Sequence, residues 1–381
     1  MTGAITREGD VPVVLHRRGP NSGKGSVLLL HGASATSETF HLPNGGLVDY
    51  LQRREWDVWT LDWRGSAHVV AKVLEDPPRP DHEGEYRKFT LDHTAHEDIP
   101  WALDLMQKEL GKTQHIAAVA HCFGSGALSI ALAAKQAEAV NNVVLSTLGL
   151  FYEAPWDGWI KAEDFILERV LANDPECRVI DPRHYDKWPA DMKTAYEVFP
   201  SRWMPPGDSE ADRILQRLTF MFGQPYPPEV LVPGIHGPKL KELFGAMHLG
   251  LYLHAGQMVR RGYAAQFDAM DTIDPPRALE SRRRQRAASR EPREHKRVPG
   301  HYLLPEAFST KRVTLITGTE NRLWHRDGID RMYEWLLAEA PPQGWGRRPR
   351  KHVLPGFAHQ DLLWGKESQK VYELIEQALA S

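Results

Sequence analysis

The stretch IAAVAHCFGSGALSIALAA, residues 116–134, decides the fold of this chain. Its apolar start, residues 116–119, predicts a buried strand, and residues 127–134 predict a helix. Between them Cys122 lies at the apex of a sharp turn, where a strained backbone requires small neighbours. Ala120 and Gly124 meet that requirement. The pattern therefore predicts a strand, a turn and a helix with a nucleophilic thiol at the apex.

An oxyanion loop precedes this turn in the chain. Residues 27–30 predict a buried strand that ends in His31-Gly32-Ala33-Ser34. In α/β-hydrolases such a loop supplies one backbone N–H of the oxyanion hole, and the residue after the nucleophile supplies the other. We expect those donors to be Ala33 and Phe123. Residues 56–66 then predict a further strand that runs into a polar turn.

The other members of a catalytic triad follow the cysteine. After a predicted strand at residues 142–147, residues 313–318 predict a strand that ends near Glu320 and Asn321, and residues 351–354 lead to His359. The order nucleophile, acid, histidine is that of α/β-hydrolases and differs from that of two unrelated triad folds. These features predict an α/β-hydrolase fold: a mostly parallel central sheet flanked by helices, with an inserted, mainly helical cap domain.

Cys122, His359 and Glu320 are the predicted catalytic residues. We expect the N-terminus of a helix and a nearby imidazole to favour the Cys122 thiolate. His359 would take or relay the thiol proton, and an acid partner would fix its tautomer and stabilise the imidazolium. Glu320 is preferred because only a carboxylate stabilises a full positive charge. Asn321 is the alternative partner, since Cys-His-Asn also works in papain-like proteases.

Five residues are expected to contact a substrate: His31 and Ser34 in the oxyanion loop, and His254, Trp156 and Phe222 in the predicted cap. For the cap aromatics, packing in a core of their own is the other interpretation. The two histidines have a structural alternative as well, because a lone buried histidine is commonly a packed residue.

Four segments carry a closer resemblance: FTLD at residues 89–92, EDIPW at 97–101, HCFGS at 121–125 and GTENRL at 318–323. They resemble a bacterial family of α/β-hydrolases with a cysteine at the elbow, found fused to or associated with cholesterol-oxidase-like (GMC) flavoproteins. A more distant similarity, in HAGQMVRRG at residues 254–262, is to acid lipases. The resemblance implies ester-type chemistry on lipophilic substrates and a flavoprotein oxidoreductase as a partner.

Composition narrows the class of protein. With 381 residues and a formal charge of -3, the chain gives no reason to expect nucleic acid as its main partner. The first residues lack an apolar signal core and no stretch approaches membrane-spanning length, so we expect no transmembrane segment and a cytoplasmic location. Two cysteines, Cys122 and Cys177, make no disulfide framework. Since G-x-G-x-x-G, P-loop and H-E-x-x-H motifs are missing, no cofactor and no metal are expected.

The predicted strands and triad fall in two blocks, residues 1–150 and 301–381, which we assign to the hydrolase core. Residues 151–300 are expected to form a helical cap, with one helix at residues 160–171 and one or two at residues 240–259. A basic run at residues 277–300 is interpreted as a solvated loop rather than a site for an acidic partner, RNA or anionic lipid. A cap of this size favours a bulky apolar substrate.

Three functions remain open from the sequence. The first is hydrolysis of an ester, lactone or thioester of a lipophilic small molecule, through acylation of Cys122 and water activated by His359. The second is an acyltransferase that passes the same acyl group to an alcohol, amine or thiol acceptor. The third is a non-catalytic partner of an oxidoreductase. The complete set of Cys122, Glu320 and His359 argues against the third.

Overall fold

The computed structural model describes residues 3–9, 11–19, 23–43, 45–75, 89–111, 115–163, 177–199, 204–268, 300–343 and 346–380. The strands of this part of the chain are β1 Gly3–Thr6, β2 Val14–Arg17, β3 Gly25–Leu30, β4 Trp56–Asp62, β5 Ile116–His121, β6 Val140–Ser146, β7 Val179–Ile180, β8 Met247–His248, β9 Arg312–Gly318 and β10 Arg350–Leu354.

One large sheet has the strand order β1-β2-β4-β3-β5-β6-β9-β10. It is antiparallel only at one edge, where β1 pairs with β2 and β2 with β4, while the other neighbours are parallel. The six predicted strands are confirmed as β3, β4, β5, β6, β9 and β10. Strands β1 and β2 were not predicted, because they are short and mostly at the surface rather than continuous apolar runs.

Helices cover both faces of this sheet. The helices are α1 Leu47–Gln52, α2 Ala67–Glu75, α3 Ile99–Leu110, α4 Phe123–Ala133, α5 Trp156–Glu163, α6 Ala190–Glu197, α7 Glu210–Phe222, α8 Leu240–Leu243, α9 Leu249–Arg261, α10 Asp327–Glu339, α11 Asp361–Trp364 and α12 Ser368–Ala380. Shorter helical turns lie at Ser37–Phe40, Leu91–His93, Thr94–Asp98, Tyr185–Lys187, Pro228–Val230, Ile235–Lys239 and Pro305–Ala307.

Side-chain alternation along the strands divides the apolar core into two clusters. On β3, Leu28 and Leu30 belong to the cluster on one face, and Val27 and Leu29 belong to the cluster on the other. Because a strand points successive side chains to opposite faces, both faces of a central parallel strand need apolar residues. The parallel strands end at one edge of the sheet, where loops carry functional residues in open α/β folds.

The region between β6 and β9 is mostly helical. Of the helix predicted at residues 160–171, α5 covers the first residues, and residues 164–171 lie outside the described ranges. Residues 240–259, predicted to form one or two helices, form two, α8 and α9, with a break between them. There the backbone is extended at Phe244, and β8 pairs with β7 before the His248 imidazole accepts from the Gly250 N–H and starts α9.

The division into core, residues 1–150 and 301–381, and cap, residues 151–300, stays a prediction. The basic run at residues 277–300 lies outside the described residues except for Gly300. In the described part of the chain, no helix combines the length and the apolar content that a membrane crossing needs.

Candidate active site

The turn at Cys122 joins β5 to α4. Cys122 has φ 56° and ψ −128°, a positive-φ conformation that costs energy for a residue with a Cβ. A Cβ on Gly124 would collide with the carbonyl oxygens of Leu30 and His31, so α4 approaches the end of β3 more closely than any side chain allows. The predicted strand, turn and helix are confirmed, and the turn places Cys122 at the carboxyl edge of the sheet.

The Cys122 thiol is buried, with 6% of the residue exposed. Burial raises its pKa to about 12, and the Trp324 indole and the Phe123 N–H act in the opposite direction. The resting form at neutral pH is therefore a neutral thiol. The expected resting thiolate is corrected, because the N-terminus of α4 does not offset the loss of hydration at so dry a position.

His359 is also buried and forms a hydrogen bond with Asn321, at 3.2 Å between Nδ1 and Oδ1. Asn321 Oδ1 also accepts from the N–H groups of Leu323 and Trp324, at 3.0 and 3.2 Å, which fixes the amide at the start of this loop. Burial, and the neighbouring His121, hold the pKa of His359 well below its usual range. The imidazole is therefore neutral, and with Nδ1 protonated toward Asn321, Nε2 carries the lone pair of a base.

A narrow cavity of about 380 Å³ brings the expected catalytic groups together. Its lining residues include Cys122, His359 and the two expected oxyanion donors, Ala33 and Phe123. The Phe123 N–H belongs to the first turn of α4, where backbone N–H groups have no partner within the helix. A carbonyl group in this cavity would thus meet a thiol, a base and backbone donors at once.

Buried polar contacts support the two reacting side chains. His121 Nδ1 lies 3.0 Å from Ser146 Oγ, and its ring centre is 4.7 Å from that of His359. Burial lowers the pKa of His121 to about 4, so this second imidazole is neutral as well. Asp361 accepts from the Ala358 N–H at 3.0 Å and orders the loop that carries His359.

A wider cavity, hereafter the helical cavity, adjoins the narrow one. It has an empty volume of about 860 Å³ and shares Phe123, Phe222 and Leu323 with the narrow cavity. Its other lining residues come mostly from α5, α7 and α9 and are Ala154, Gly158, Lys161, Ala162, Met192, Phe220, Met221, Tyr252, Ala255, Gly256, Val259, Arg260 and Trp324. The lining is mainly apolar, which suits a lipophilic group.

Among the residues that the structure describes, no group of three or more His, Cys, Asp or Glu side chains is arranged to hold a metal ion.

Comparisons with known proteins bear on the fold. A family profile for the alpha/beta hydrolase fold matches residues 25–173. The chain is similar to human gastric triacylglycerol lipase, with 29% identity over 114 residues, which cover 29% of this chain and 28% of the lipase. The matched segment thus spans less than a third of the length of that relative.

Solved structures are similar over nearly the whole chain. A soluble variant of the monoglyceride lipase from Saccharomyces cerevisiae aligns with 100% of this chain and 94% of its own, at a TM-score of 0.53 and 13% identity. A thermostable carboxyl esterase from Bacillus coagulans aligns with 99% of this chain and 96% of its own, at 0.54 and 12%. The chain has the α/β-hydrolase fold. The predicted fold class is confirmed.

In this α/β-hydrolase fold the predicted acid, Glu320, is exposed. Its carboxylate accepts from Thr319 Oγ1 at 3.1 Å, and its N–H donates to the Phe357 carbonyl at 2.8 Å. Both residues follow the end of β9 at Gly318, and in this turn the Glu320 side chain stays at the surface while Asn321 is buried. In this structure the hydrogen-bond partner of His359 is Asn321, the alternative, and not the preferred Glu320.

The oxyanion-loop residues His31 and Ser34 line neither of the two cavities. The buried His31 ring stacks on Trp63 at 5.6 Å and its Nδ1 lies 2.6 Å from the Gly32 carbonyl oxygen. The Ser34 hydroxyl donates to the Gly245 carbonyl, and Ser34 has φ 60°. Both side chains contact the protein itself and stabilise the oxyanion loop. The expected contact of His31 and Ser34 with a substrate is therefore corrected to a structural role.

The three cap residues expected to contact substrate have different positions. Phe222 lines both cavities, as expected of a binding residue. His254 is buried between the Leu91 N–H, at 3.2 Å from Nδ1, and the Ala265 carbonyl, at 2.8 Å from Nε2, so its role is structural. Trp156 is 65% exposed, stacks on Trp159 at 5.3 Å and lines neither cavity.

Sequence reasoning missed Leu323 and Trp324, which follow Asn321 directly. The Trp324 ring packs edge-on against Phe123 at 5.6 Å and against Tyr152 at 5.4 Å. A signal existed, because a loop after a triad position at a strand end lies near the nucleophile in this fold. The side chains that face the cavity depend on loop conformation, which the sequence did not reveal.

Proposed function

We propose that the protein is a hydrolase of carboxylic esters, lactones or thioesters with a lipophilic acyl part, and that it acts through an acyl thioester on Cys122. The observation that carries the proposal is the narrow cavity, where Cys122, His359, Ala33 and Phe123 surround one space. The similarity to a human triacylglycerol lipase supports the same reaction class. Hydrolysis is favoured over acyl transfer because water fits a narrow space more readily than a second large acceptor does.

In the acylation step, the Cys122 sulfur attacks the substrate carbonyl carbon while His359 Nε2 removes the thiol proton. Because thiol and imidazole are both neutral at rest, proton transfer accompanies the attack. The N–H groups of Ala33 and Phe123 stabilise the negative charge that develops on the carbonyl oxygen. The bond from the carbonyl carbon to the leaving oxygen or sulfur then breaks, and His359 returns the proton to the leaving group.

Deacylation uses the same groups. His359 removes a proton from water, which attacks the thioester carbonyl, and collapse of the tetrahedral intermediate releases the acid and restores the Cys122 thiol. Asn321 accepts the Nδ1–H of His359 and so keeps Nε2 directed at the reacting atoms. An amide stabilises the transient imidazolium less than a carboxylate does, which makes orientation the main contribution of Asn321.

The assignment of a cap, the closer family, the partner and the location rest on the sequence alone. Residues 151–300 are proposed to act as the cap that shapes the substrate pocket. Membership of the cysteine-elbow family, a flavoprotein partner and a cytoplasmic location stay predictions.

The test compares the two cysteines. Cys122→Ala should lower kcat/KM for p-nitrophenyl butanoate by about 10⁴-fold or more, because the nucleophile itself is lost. Cys177→Ala is the matched control, since Cys177 lines neither cavity, and it should retain activity. Circular dichroism establishes that both variants are folded. Wild-type activity in folded Cys122→Ala would contradict the proposal.

A further inference from the structure

The helical cavity owes its volume to small residues on facing helices. Gly158 on α5 and Gly256 on α9 both line it, together with Ala162 and Ala255. Glycine inside a helix is less favourable than alanine, so two glycines at one cavity leave space and lower the stability of their helices. The space adjoins the nucleophile through the shared walls Phe123 and Leu323.

Two cationic side chains, Lys161 and Arg260, line this otherwise apolar cavity, and no acidic side chain is among its described lining residues. The Lys161 ammonium donates to the Phe220 carbonyl at 2.6 Å and lies 3.8 Å from the Asp157 carboxylate, while 18% of its side chain is exposed. Arg260 Nη1 donates to the Ala162 carbonyl at 2.8 Å. The backbone contacts fix both cations at the cavity wall.

We propose that the helical cavity binds the part of the substrate remote from the scissile carbonyl, and that this part ends in a carboxylate held by Lys161 and Arg260. The inference rests on the proposed function and names its substrate class: an acyl chain or ring with a distal acid group.

The chemistry of the lining distinguishes this substrate from a plain hydrocarbon chain. Burying a cation in apolar surroundings is costly unless an anion compensates it, whereas a wall for a plain chain needs no cation. An ammonium has three donors; among the described residues Lys161 donates one to the Phe220 carbonyl, and the Asp157 carboxylate lies farther off, at 3.8 Å. Burial lowers the pKa of Lys161 to about 8, with Asp157 acting in the opposite direction, so its surroundings stabilise the charge incompletely. A carboxylate in the cavity would supply the missing stabilisation.

A binding experiment without turnover tests the site. Monomethyl sebacate carries an ester at one end and a carboxylate at the other, and dimethyl sebacate replaces that carboxylate with a second, more apolar ester. In calorimetry with the Cys122→Ala protein, we expect monomethyl sebacate to bind at least about tenfold more tightly. Burial of apolar surface alone would favour the more apolar dimethyl ester. Equal binding of the two ligands, or tighter binding of the dimethyl ester, would therefore overturn the site without any further variant.

Substitution then locates the site. In the Cys122→Ala background, Lys161→Met should remove most of the preference for monomethyl sebacate. Lys187→Met, which changes an exposed lysine that does not line the cavity, should leave the preference unchanged. An unchanged preference in folded Lys161→Met would overturn the assignment.

The two proposals fail differently. Turnover of p-nitrophenyl decanoate by the wild-type protein, without a preference for the carboxylate probe, would overturn the anion site alone. Tight binding of monomethyl sebacate, without any ester turnover by the wild-type protein, would overturn the proposed hydrolase function alone.

Discussion

The two adjoining cavities are built in opposite ways. The narrow cavity depends on backbone conformation: Cys122 has φ 56°, Ser34 beneath the oxyanion loop has φ 60°, and Gly124 tolerates no Cβ. The helical cavity depends on side-chain size and on two cations set in an apolar wall. A backbone-built site leaves a motif in the sequence, and a pocket between helices leaves none. The reaction is therefore easier to predict than the substrate.

Removing the residue that orients His359 should cause the largest loss of activity at the narrow cavity. Asn321→Ala is expected to lower kcat for p-nitrophenyl butanoate by about 10²- to 10³-fold, because the imidazole loses the acceptor that fixes its tautomer. Glu320→Gln, at the exposed neighbouring position, should change kcat by less than about twofold.

Asn321 also accepts from the Leu323 and Trp324 N–H groups, so loss of activity in Asn321→Ala has two sources. Asn321→Asp keeps an acceptor oxygen for all three donors and should retain activity within about tenfold of the wild type. A larger loss in Glu320→Gln than in Asn321→Ala would contradict the pairing.

Low pH should lower the free energy of unfolding through His121, which is buried beside the narrow cavity. Burial lowers the pKa of His121 from 6.5 to about 4, so between these pH values the unfolded chain binds more protons than the folded one. Stability contributed by the neutral imidazole is present above pH 6.5 and is lost as pH falls toward 4. For His121 the loss amounts to about 3 kcal/mol, roughly a hundredfold in the folding equilibrium.

Urea denaturation at pH 7 and pH 4.5 measures this effect. His121→Asn should show a smaller drop in the free energy of unfolding than the wild type, whereas His68→Asn, at an exposed position, should show the wild-type drop. The same acid dependence in wild type and His121→Asn would mean that His121 is not a buried neutral base.

Filling the helical cavity should lower kcat/KM for long-chain esters and leave that for short-chain esters unchanged. Gly256→Leu is expected to lower the ratio of kcat/KM for p-nitrophenyl decanoate to that for p-nitrophenyl acetate by about tenfold, because each excluded methylene loses up to about 0.8 kcal/mol of burial. The variant should fold, since a side chain in place of glycine raises helix propensity.

Gly256→Ala is the graded control for this substitution. Its Cβ would lie 3.4 Å from Arg260 Nη1, so the ratio should change little. An unchanged ratio in Gly256→Leu would mean that acyl chains do not enter the helical cavity.

Much of the fold was predictable because the central strands are continuous apolar runs, such as β3 and β5. The motif at Cys122 and the position of His359 were predictable too, since each depends on chain order and on a turn with a steric signature. The edge strands β1 and β2 were missed because half-exposed short strands carry little apolar signal.

The remaining features of the site depend on three-dimensional surroundings. Glu320 and Asn321 are neighbours, and the conformation of the turn after β9 decides which of them reaches His359. The neutral state of Cys122 follows from burial, which a helix-dipole argument from sequence does not include. Lys161 and Arg260 lie on amphipathic helices, where charged residues are predicted to face solvent, so no sequence pattern indicates that both line one cavity.

The most direct test of the central claim is detection of the acyl enzyme. Wild-type protein is mixed rapidly with p-nitrophenyl butanoate, quenched in acid and analysed by intact and peptide mass spectrometry. The account predicts a mass gain of one butanoyl group on the peptide that contains Cys122, removal of that group by neutral hydroxylamine, and no gain in Cys122→Ala. A butanoyl group on Ser125 or on Cys177, or rapid turnover by Cys122→Ala, would contradict it.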